Sequence, residues 1–528
     1  MPDTLRFVPT AWIQEHPRLS LLLFITHLLI AHCVFVIFQC LFICPLARFP
    51  GPKFAAATSL YETYFNLVKN GKYYLEVERL HNSYGPIVRV NPYELSIRDP
   101  TFYDQLYVFA SVRPTDGYHR FADGVDFEGS HVFTTAHDLH RTRRKPLEPY
   151  FSRQGVTQLE PTLQSLAAKL VSKLHAARDA SDGKAAVVRF DHAMLCFTGD
   201  VINHVCCKNP TSLLDDAQFS AQFYESLHAP LRAFPLFEAF PSLIRVMRLV
   251  PDSVVAWLHP GSRYLKIFKG KAERHIREVK DEQGFSEKED ESTGKRMTLF
   301  SHLINGNALP EEEMDTPRLV NEAQVLLAAG TIGTSRVLDL TCYYVLASQD
   351  IRTRLAAELK EVMAEYPRVM PTRAQLERLP YFQGVNKEGL RLGFGIMRRL
   401  PRVSPKVALQ FKEWTIPAGT PVGMSAYMQH TDPAIFPRPF DFLPERWLPE
   451  NVTPLMNHNF VPFAKGSRIC LGMNLGYAEM NHMLAALFHE GGLKLELFET
   501  DESDVKPVHD FIVPLPRLDS KGIRVLVR

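Results

Sequence analysis

Net charge is almost absent from this 528-residue chain: 60 lysines and arginines stand against 58 aspartates and glutamates, an excess of +2. A nucleic-acid-binding chain concentrates positive charge, so the balance argues against that class and makes any basic docking patch local. Cysteine is scarce as well. The eight are Cys33, Cys40, Cys44, Cys196, Cys206, Cys207, Cys342 and Cys470. No C-x-x-C pair occurs among them, which leaves zinc sites and thioredoxin-type chemistry without support. So few cysteines in so long a chain suit a reducing compartment better than a disulfide scaffold. Internal repeats are missing, and no A-x-A cleavage site directly follows the long apolar run near the N-terminus. What is present is a globular composition, 46% hydrophobic and 22% charged, sufficient for a large core.

The apolar run covers residues 19–43, broken by Ser20, Thr26, His27, His32 and Gln39. As a helix it reaches about 37 Å, enough to cross a bilayer with some tilt. The apolar part of a signal peptide is only about 7–15 residues long, so a retained transmembrane anchor is expected, preceded by an N-terminal segment, 1–18. Its orientation is left open: Arg6 and Arg18 precede the run, Arg48 and Lys53 follow it, and the positive-inside rule does not choose between them. Pro45 and Phe49-Pro50-Gly51-Pro52 then prevent the helix from continuing, which marks 44–53 as a hinge before a single body, 54–528. Apolar periodicity near 3.6 predicts helices over 159–177, 318–347, 351–366 and 473–487. Strand-like runs are short, at 87–90 and 522–527, and 281–296 reads as a charged surface loop. The expected fold is mainly α with a minor β-sheet region.

Near the C-terminus Phe463, Gly466, Arg468, Cys470 and Gly472 fill every fixed position of F-x-x-G-x-R-x-C-x-G, and a helical stretch begins at Met473. The pattern resembles the cysteine motif of the cytochrome P450 family, and the likeness extends over nearly all the chain after the hinge. It implies a haem-thiolate fold and haem b, with Cys470 as axial ligand to the iron, since a thiolate favours O–O cleavage there. Gly466 and Gly472 then let the backbone pass close to the ring and bring amide N–H groups near the sulfur. The helix behind Cys470 points its positive end at the thiolate, Arg468 pairs with a haem propionate, and Phe463 shields the sulfur. Glu388 and Arg391 resemble the family's E-x-x-R pair, and Pro444-Glu445-Arg446-Trp447 its P-E-R-F segment. The resemblance makes Glu388, Arg391 and Arg446 a buried structural triad. His140 and Arg144, four apart and so on one helix face, match positions that bond propionates, and Arg402 is a further candidate. The bland alternative for both is a solvated basic face.

One segment departs from the family. The oxygen-activating helix should carry A-G-x-(Asp or Glu)-Thr-(Thr or Ser), but here Ala329-Gly330-Thr331-Ile332-Gly333-Thr334-Ser335 stands. Ala329 and Gly330 are expected to leave room above the haem. The acid has become Ile332 and the alcohol Gly333, with Thr334 rotated by about 100°. Its hydroxyl regains the usual place only if the helix is distorted, as at a π-bulge. Two readings follow: a monooxygenase with a modified proton relay, or a rearrangement, dehydration or peroxide-fed reaction. A third reading is a haem-binding family member without catalysis. Stretches 387–403, 416–419 and 509–516 are similar to fungal biosynthetic members, which tailor terpenoid or polyketide metabolites. By the same likeness the pocket draws on 111–134, 219–240, 326–334, 403–407 and 508–514. These stretches are mostly apolar, so a lipophilic substrate is expected. Implied partners are an NADPH-cytochrome P450 reductase and a lipid bilayer, with the body on the cytosolic side of the endoplasmic reticulum.

Overall fold

The computed structural model describes residues 16–528 apart from 123–124, 126, 181–184, 251–253, 255–261, 282–296 and 307. The charged loop expected at 281–296 lies outside the described residues from 282 onward, as does most of 1–18.

Helix α1 (Pro17–Phe38) continues as a π-helical turn, Gln39–Ile43, and none of its side chains is buried. The span Pro17–Ile43 has a mean hydropathy of 2.6, and long apolar side chains such as Leu22 and Phe24 are some 60% exposed. Apolar surface left bare on this scale needs a non-aqueous surrounding. The stretch after it is not loose chain. Leu46 and Phe49 are buried, the Phe49 ring lies 5.0 Å from Trp414, and Arg89 donates from its backbone N–H to Pro50 and from Nη1 to Cys40. Two bulky apolar side chains and a buried guanidinium therefore fasten residues expected to be a hinge onto the body.

The body is mainly helical: α2 (Tyr73–Tyr84), α3 (His137–Arg144), α4 (Arg153–Asp179), α5 (Phe190–Cys206), α6 (Ala221–Ala239), α7 (Ser262–Asp281), α8 (Thr316–Ala347), α9 (Pro380–Gly393) and α10 (Met473–Phe488) among others. Strands are short. A five-stranded sheet in the order β1 (Ile87–Arg89), β2 (Leu95–Ile97), β8 (Pro421–Gly423), β5 (Arg402–Val403), β3 (Asp116–Gly117) is antiparallel except between β2 and β8. A second sheet has β12 (Arg524–Val527) between β4 (Ala186–Arg189) and β9 (Leu495–Leu497), and two hairpins complete the set, β6–β7 (Leu409–Phe411, Trp414–Ile416) and β10–β11 (His509–Phe511, Val513–Leu515).

The centre of the molecule is the crossing of α5 and α8. Every residue of α5 except His204 is buried, and its two buried carboxylates are paired, Asp191 with Arg189 and Asp200 with the Leu213 and Leu214 N–H groups, as buried charges must be. Small residues bring the two axes together. A Cβ on Gly330 would come within 2.7 Å of Ile202 on α5, and one on Gly199 would lie 3.5 Å from Thr331 Cγ2 on α8. Thr198 Oγ1 donates to the Thr331 carbonyl across the contact, 2.9 Å. Helix α8 also has the length and hydropathy of a membrane span, but two thirds of it is buried, which makes it the core helix.

The helix predicted over 351–366 is shorter, Gln349–Leu359. Beyond it the chain turns without regular helix, yet Met363 donates to Leu359 and Tyr366 to Met363. Those turns keep Leu359 and Met363 on the core, so burial persists at helical spacing where the helix itself has stopped.

Candidate active site at the cysteine loop

The loop before α10 is held from three sides. Gly466 has φ +76°, and a Cβ there would collide with the Tyr107 and Val108 carbonyls. The side on which a Cβ would stand thus lies against backbone. Ser467 N–H donates to Val108 O at 3.1 Å and Cys470 N–H to Phe463 O at 2.9 Å. Phe463 packs on the core with its ring 5.4 Å from Tyr477. Behind the loop, His430 fixes position through its backbone neighbours: Nδ1–H donates to Arg391 O at 2.9 Å, and Nε2 accepts from Val461 N–H at 2.9 Å. Burial holds this imidazole neutral, its pKa lowered to about 3.

Through His430 the loop is tied to the Glu388 cluster. Arg391 meets Glu388 in a bidentate pair, 2.7 and 2.9 Å. Arg446 Nε is 2.9 Å from the same carboxylate, and Trp447 Nε1–H donates to it at 2.8 Å. Arg391 also donates to the carbonyls of His430, Pro439 and Asp441, and Arg446 to those of Pro437 and Arg438. One carboxylate faces two guanidiniums, and carbonyls accept from the remaining donors, so the surplus positive charge is hydrogen-bonded, a condition for tolerating a buried ion cluster.

Cys470 ends the loop three residues before the start of α10, and it is exposed. Burial pushes the thiol pKa up, against the Gly472 backbone N–H and the Arg144 guanidinium, which both lower it. A Cβ on Gly472 would sit 4.0 Å from Sγ, so the sulfur is not crowded from behind. The Gly472 N–H acts on the thiol in the expected direction, but burial outweighs it. Direct metal coordination, which deprotonates a thiol outright, would reverse that balance.

Three guanidiniums and a neutral imidazole gather nearby from three elements: His140 and Arg144 on α3, Arg402 on β5 and Arg468 in the loop. Arg144 donates to Ile469 O at 2.8 Å and pairs with Glu148 at 3.0 Å. Arg468 donates to the Thr134 and Thr135 carbonyls at 2.7 and 2.6 Å. The Arg402 guanidinium lies over the Tyr107 ring, 5.3 Å from its centroid. Burial, then Arg468, His131, Arg144 and Arg402, lower the His140 pKa to about 2; burial, Arg402 and Arg144 lower that of Arg468 to about 9, against Asp116. His140 Nδ1 and Arg468 Nε are buried without a hydrogen-bond partner. Excess positive charge and two unmatched nitrogens beside a reachable thiol fit a ligand bearing two carboxylates and a thiolate-seeking metal.

Helix α8 supplies a further wall. Ala329 and Gly333, one turn apart, are both exposed on its surface, and nothing lies within 4 Å of a Cβ built on Gly333. Gly330 does not share that face: it meets Ile202, so its smallness serves the α5 crossing rather than room in the cleft. Thr331 is buried with its hydroxyl on Leu327 O at 2.6 Å, and Ile332 is core. Helix α8 is unbroken across this turn. No distortion returns Thr334 to the place of the missing alcohol; its Oγ1 instead faces α10, 3.5 Å from where a Gly476 Cβ would be.

Sequence reasoning passed over the contacts that hold the cleft's rim. His131 meets Glu322 of α8 through its backbone N–H at 3.0 Å and Nδ1 at 2.5 Å, and Arg318 joins that carboxylate at 3.1 Å. Arg143 bridges Glu313 (2.7 Å) and Thr134 (2.8 Å). A second cavity of about 310 Å³ has no cysteine-loop residue in its lining. Between the apolar stretches 219–240 and 508–514 it is charged: Arg398 holds Glu238 at 2.5 Å and Asp510 at 3.0 Å.

A mainly helical body whose core helix runs past a cleft with a reachable cysteine and a ring of cations defines a haem-thiolate architecture. The cytochrome P450 family pattern matches residues 52–516. The chain is 54% identical to the cytochrome P450 monooxygenase oblB of Aspergillus clavatus, over 92% of this chain and 94% of that protein. It is 47% identical to the fusicoccadiene C-8 hydroxylase of Phomopsis amygdali, over 92% of each chain. With the stellatic acid synthase of Emericella variicolor it shares 41% over 94% of this chain and 93% of that protein. The chain belongs to the cytochrome P450 family and is an oxygen-incorporating oxidoreductase of the fungal secondary-metabolite kind, and its N-terminal apolar helix is a candidate single membrane anchor.

Proposed function

We propose that this enzyme hydroxylates an apolar polycyclic terpenoid hydrocarbon of the fusicoccadiene type, taking electrons from NADPH through a membrane-bound reductase. The observation that carries the reading is the pairing of a reachable Cys470 sulfur with three guanidiniums and two unmatched nitrogens, His140 Nδ1 and Arg468 Nε. In that arrangement Cys470 would be the axial ligand and His140, Arg402 and Arg468 would hold the propionates. Arg144 would act mainly on the loop and the sulfur. When bound, the haem supplies oxygen activation. The chain's own part is positioning: Gly472 N–H and Arg144 steady the sulfur, Ala329 and Gly333 give an open strip for the substrate, and the buried Glu388 cluster keeps the loop fixed. Terpenoid specificity rests on kinship with the hydroxylase and the acid synthase. The anchor and cytosol-facing body, placed at the endoplasmic reticulum, would put the cleft beside a lipid-dissolved substrate.

The test uses the full-length protein with reductase, NADPH, isotope-labelled O2 and fusicoccadiene or a related diene. One labelled hydroxyl in the product is the expected result. Product carrying no label overturns the hydroxylase reading. Ile332 and Gly333 favour a second reading, chemistry that bypasses NADPH, and product formed with peroxide alone or with neither reagent would establish it.

A further inference from the structure

The seam between the apolar helix and the body contains a buried cation without an acid. Arg89 is 1% exposed, and no carboxylate among the described residues pairs with it. Elsewhere in the core Arg391, Arg399 and Arg318 each face a carboxylate, as buried charges normally do. Arg89 instead donates from Nη1 to the Cys40 carbonyl and from Nη2 to the Pro92 carbonyl, both at 2.8 Å. The same Nη2 reaches the Cys44 sulfur at 3.5 Å, and Nε is buried without a partner. Burial lowers the pKa of this guanidinium, and the groups that oppose the effect are the Cys44 and Cys40 thiols.

A second donor comes to the same sulfur. Cys44 caps the short turn Pro45–Arg48, and Leu46 N–H donates to its Sγ at 3.2 Å. Cysteine reacts as the thiolate, and a guanidinium and an amide N–H are the groups that sustain negative charge on an acceptor. Position matters as much as the donors. Cys44 directly follows the last residue of the π-helical turn and is half-buried, while its neighbours Phe42 and Ile43 are 67% and 62% exposed. A hydrocarbon chain joined at Cys44 would run back along that bare apolar surface. Cys40 and Cys33 lie about 6 and 16 Å further along the helix at 1.5 Å per residue. Cys33 is thus about half-way into a hydrocarbon layer some 30 Å thick, out of reach of a donor arriving from water.

We propose that Cys44 is an S-acylation site that takes a long-chain fatty acyl group as a thioester, with Arg89 as the positioning residue that holds its sulfur at the membrane surface. Cysteines beside a membrane span are the usual acceptors of this modification. The donor is a long-chain acyl-coenzyme A, used by a membrane-bound acyltransferase. The Cys44 sulfur bonds to the acyl carbon, and the bond from that carbon to the coenzyme A sulfur breaks. The Cys44 proton leaves on the coenzyme A thiol, and nothing is oxidised or reduced. The attached chain fixes the end of the apolar helix at the interface, where the seam of Leu46 and Phe49 begins. The inference rests on the cytosol-facing body proposed above, the side on which acyl-coenzyme A is supplied.

The full-length protein is expressed in a filamentous-fungal host fed an alkyne-tagged analogue of palmitate. Hydroxylamine-sensitive label is measured per haem, and folding is read from the reduced carbon-monoxide spectrum. Wild type and the Cys33→Ser/Cys40→Ser double variant should carry the label. Cys44→Ser, which keeps a capping oxygen for the Leu46 N–H, should lose the label and keep the spectrum. Arg89→Gln should lower the label several-fold, and Arg89→Lys, which keeps the charge, should recover part of it. If Arg89→Gln loses the spectrum, Arg89→Lys and the cysteine variants decide. An unlabelled wild type, a label that survives Cys44→Ser, or one indifferent to both Arg89 variants in folded protein overturns the proposal. Protease treatment of sealed microsomes keeps the two readings apart. A digested body without label defeats the acylation alone, whereas a protected body places it in the lumen and defeats both.

Discussion

Cys470 and His430 show how differently single residues announce themselves. The cysteine was legible because five fixed positions around it occur in one short stretch. Its substitution by alanine should abolish the thiolate-type spectrum of the reduced carbon-monoxide complex and leave the helical signal in circular dichroism unchanged. Glu388, Arg391 and Arg446 were legible for the same reason, as two short patterns in the right order. His430 was not, because its partners are backbone groups 39 and 31 residues away and no side-chain pattern records them. Replacing it with alanine strands the Arg391 carbonyl and the Val461 N–H, at about 1–3 kcal/mol each. A fall in stability of about 2–6 kcal/mol is expected in urea titration. The same residue gives a pH dependence. Its folded pKa, near 3, lies below the unfolded value near 6.5, so the unfolded chain binds the extra proton between these limits and stability falls as pH drops through that window. At pH 5 the penalty is about 2 kcal/mol, and His430→Gln should flatten that part of the stability–pH curve.

Helices were predicted well where one face is continuously apolar, as at 159–177 and 473–487, and less well where burial continues through turns, as beyond Leu359. The functional phase of α8 was the harder matter. Periodicity identifies a helix, but which neighbour meets each face depends on crossings that no local pattern encodes. Gly330 was read with Ala329 as space in the cleft, and the structure gives it to Ile202 of α5. Two glycines three residues apart thus have opposite roles, and this can be measured. Gly330→Ala drives a Cβ to within 2.7–3.0 Å of three Ile202 carbons and should destabilise by about 1–3 kcal/mol. Ile202→Ala, harmful alone, should relieve part of that loss in the double variant, since the two side chains compete for one volume. Gly333→Ala has open space and should raise stability by about 0.5–1 kcal/mol through helix propensity. Thermal unfolding of the four proteins distinguishes the roles; equal effects at Gly330 and Gly333 would refute this account of the crossing.

Taken whole, the molecule consists of a bare apolar rod joined to a packed body, and the boundary between them is set by burial rather than by helix end. The candidate anchor was apparent from length and hydropathy; the firm seam after it was hidden because prolines and a glycine usually signal freedom. Leu46 and Phe49 lie with β2, β8 and the Tyr103–Tyr107 region in one apolar cluster, and Arg89 is itself 1% exposed. Two truncations therefore part company. Removing everything before Pro45 deletes the exposed rod and the Cys40 carbonyl that Arg89 bonds, while Leu46 and Phe49 remain. That protein should leave the membrane fraction and keep its carbon-monoxide spectrum, with a small drop in stability. Starting instead at Lys53 removes both buried side chains. At about 1.5–3 kcal/mol for each, about 3–6 kcal/mol is lost, comparable to the whole stability of a domain. The longer deletion should aggregate or lose the spectrum at temperatures the shorter one survives. If both behave alike, residues 44–52 are a spacer after all, and the cluster around Phe49 contributes nothing to holding the body together.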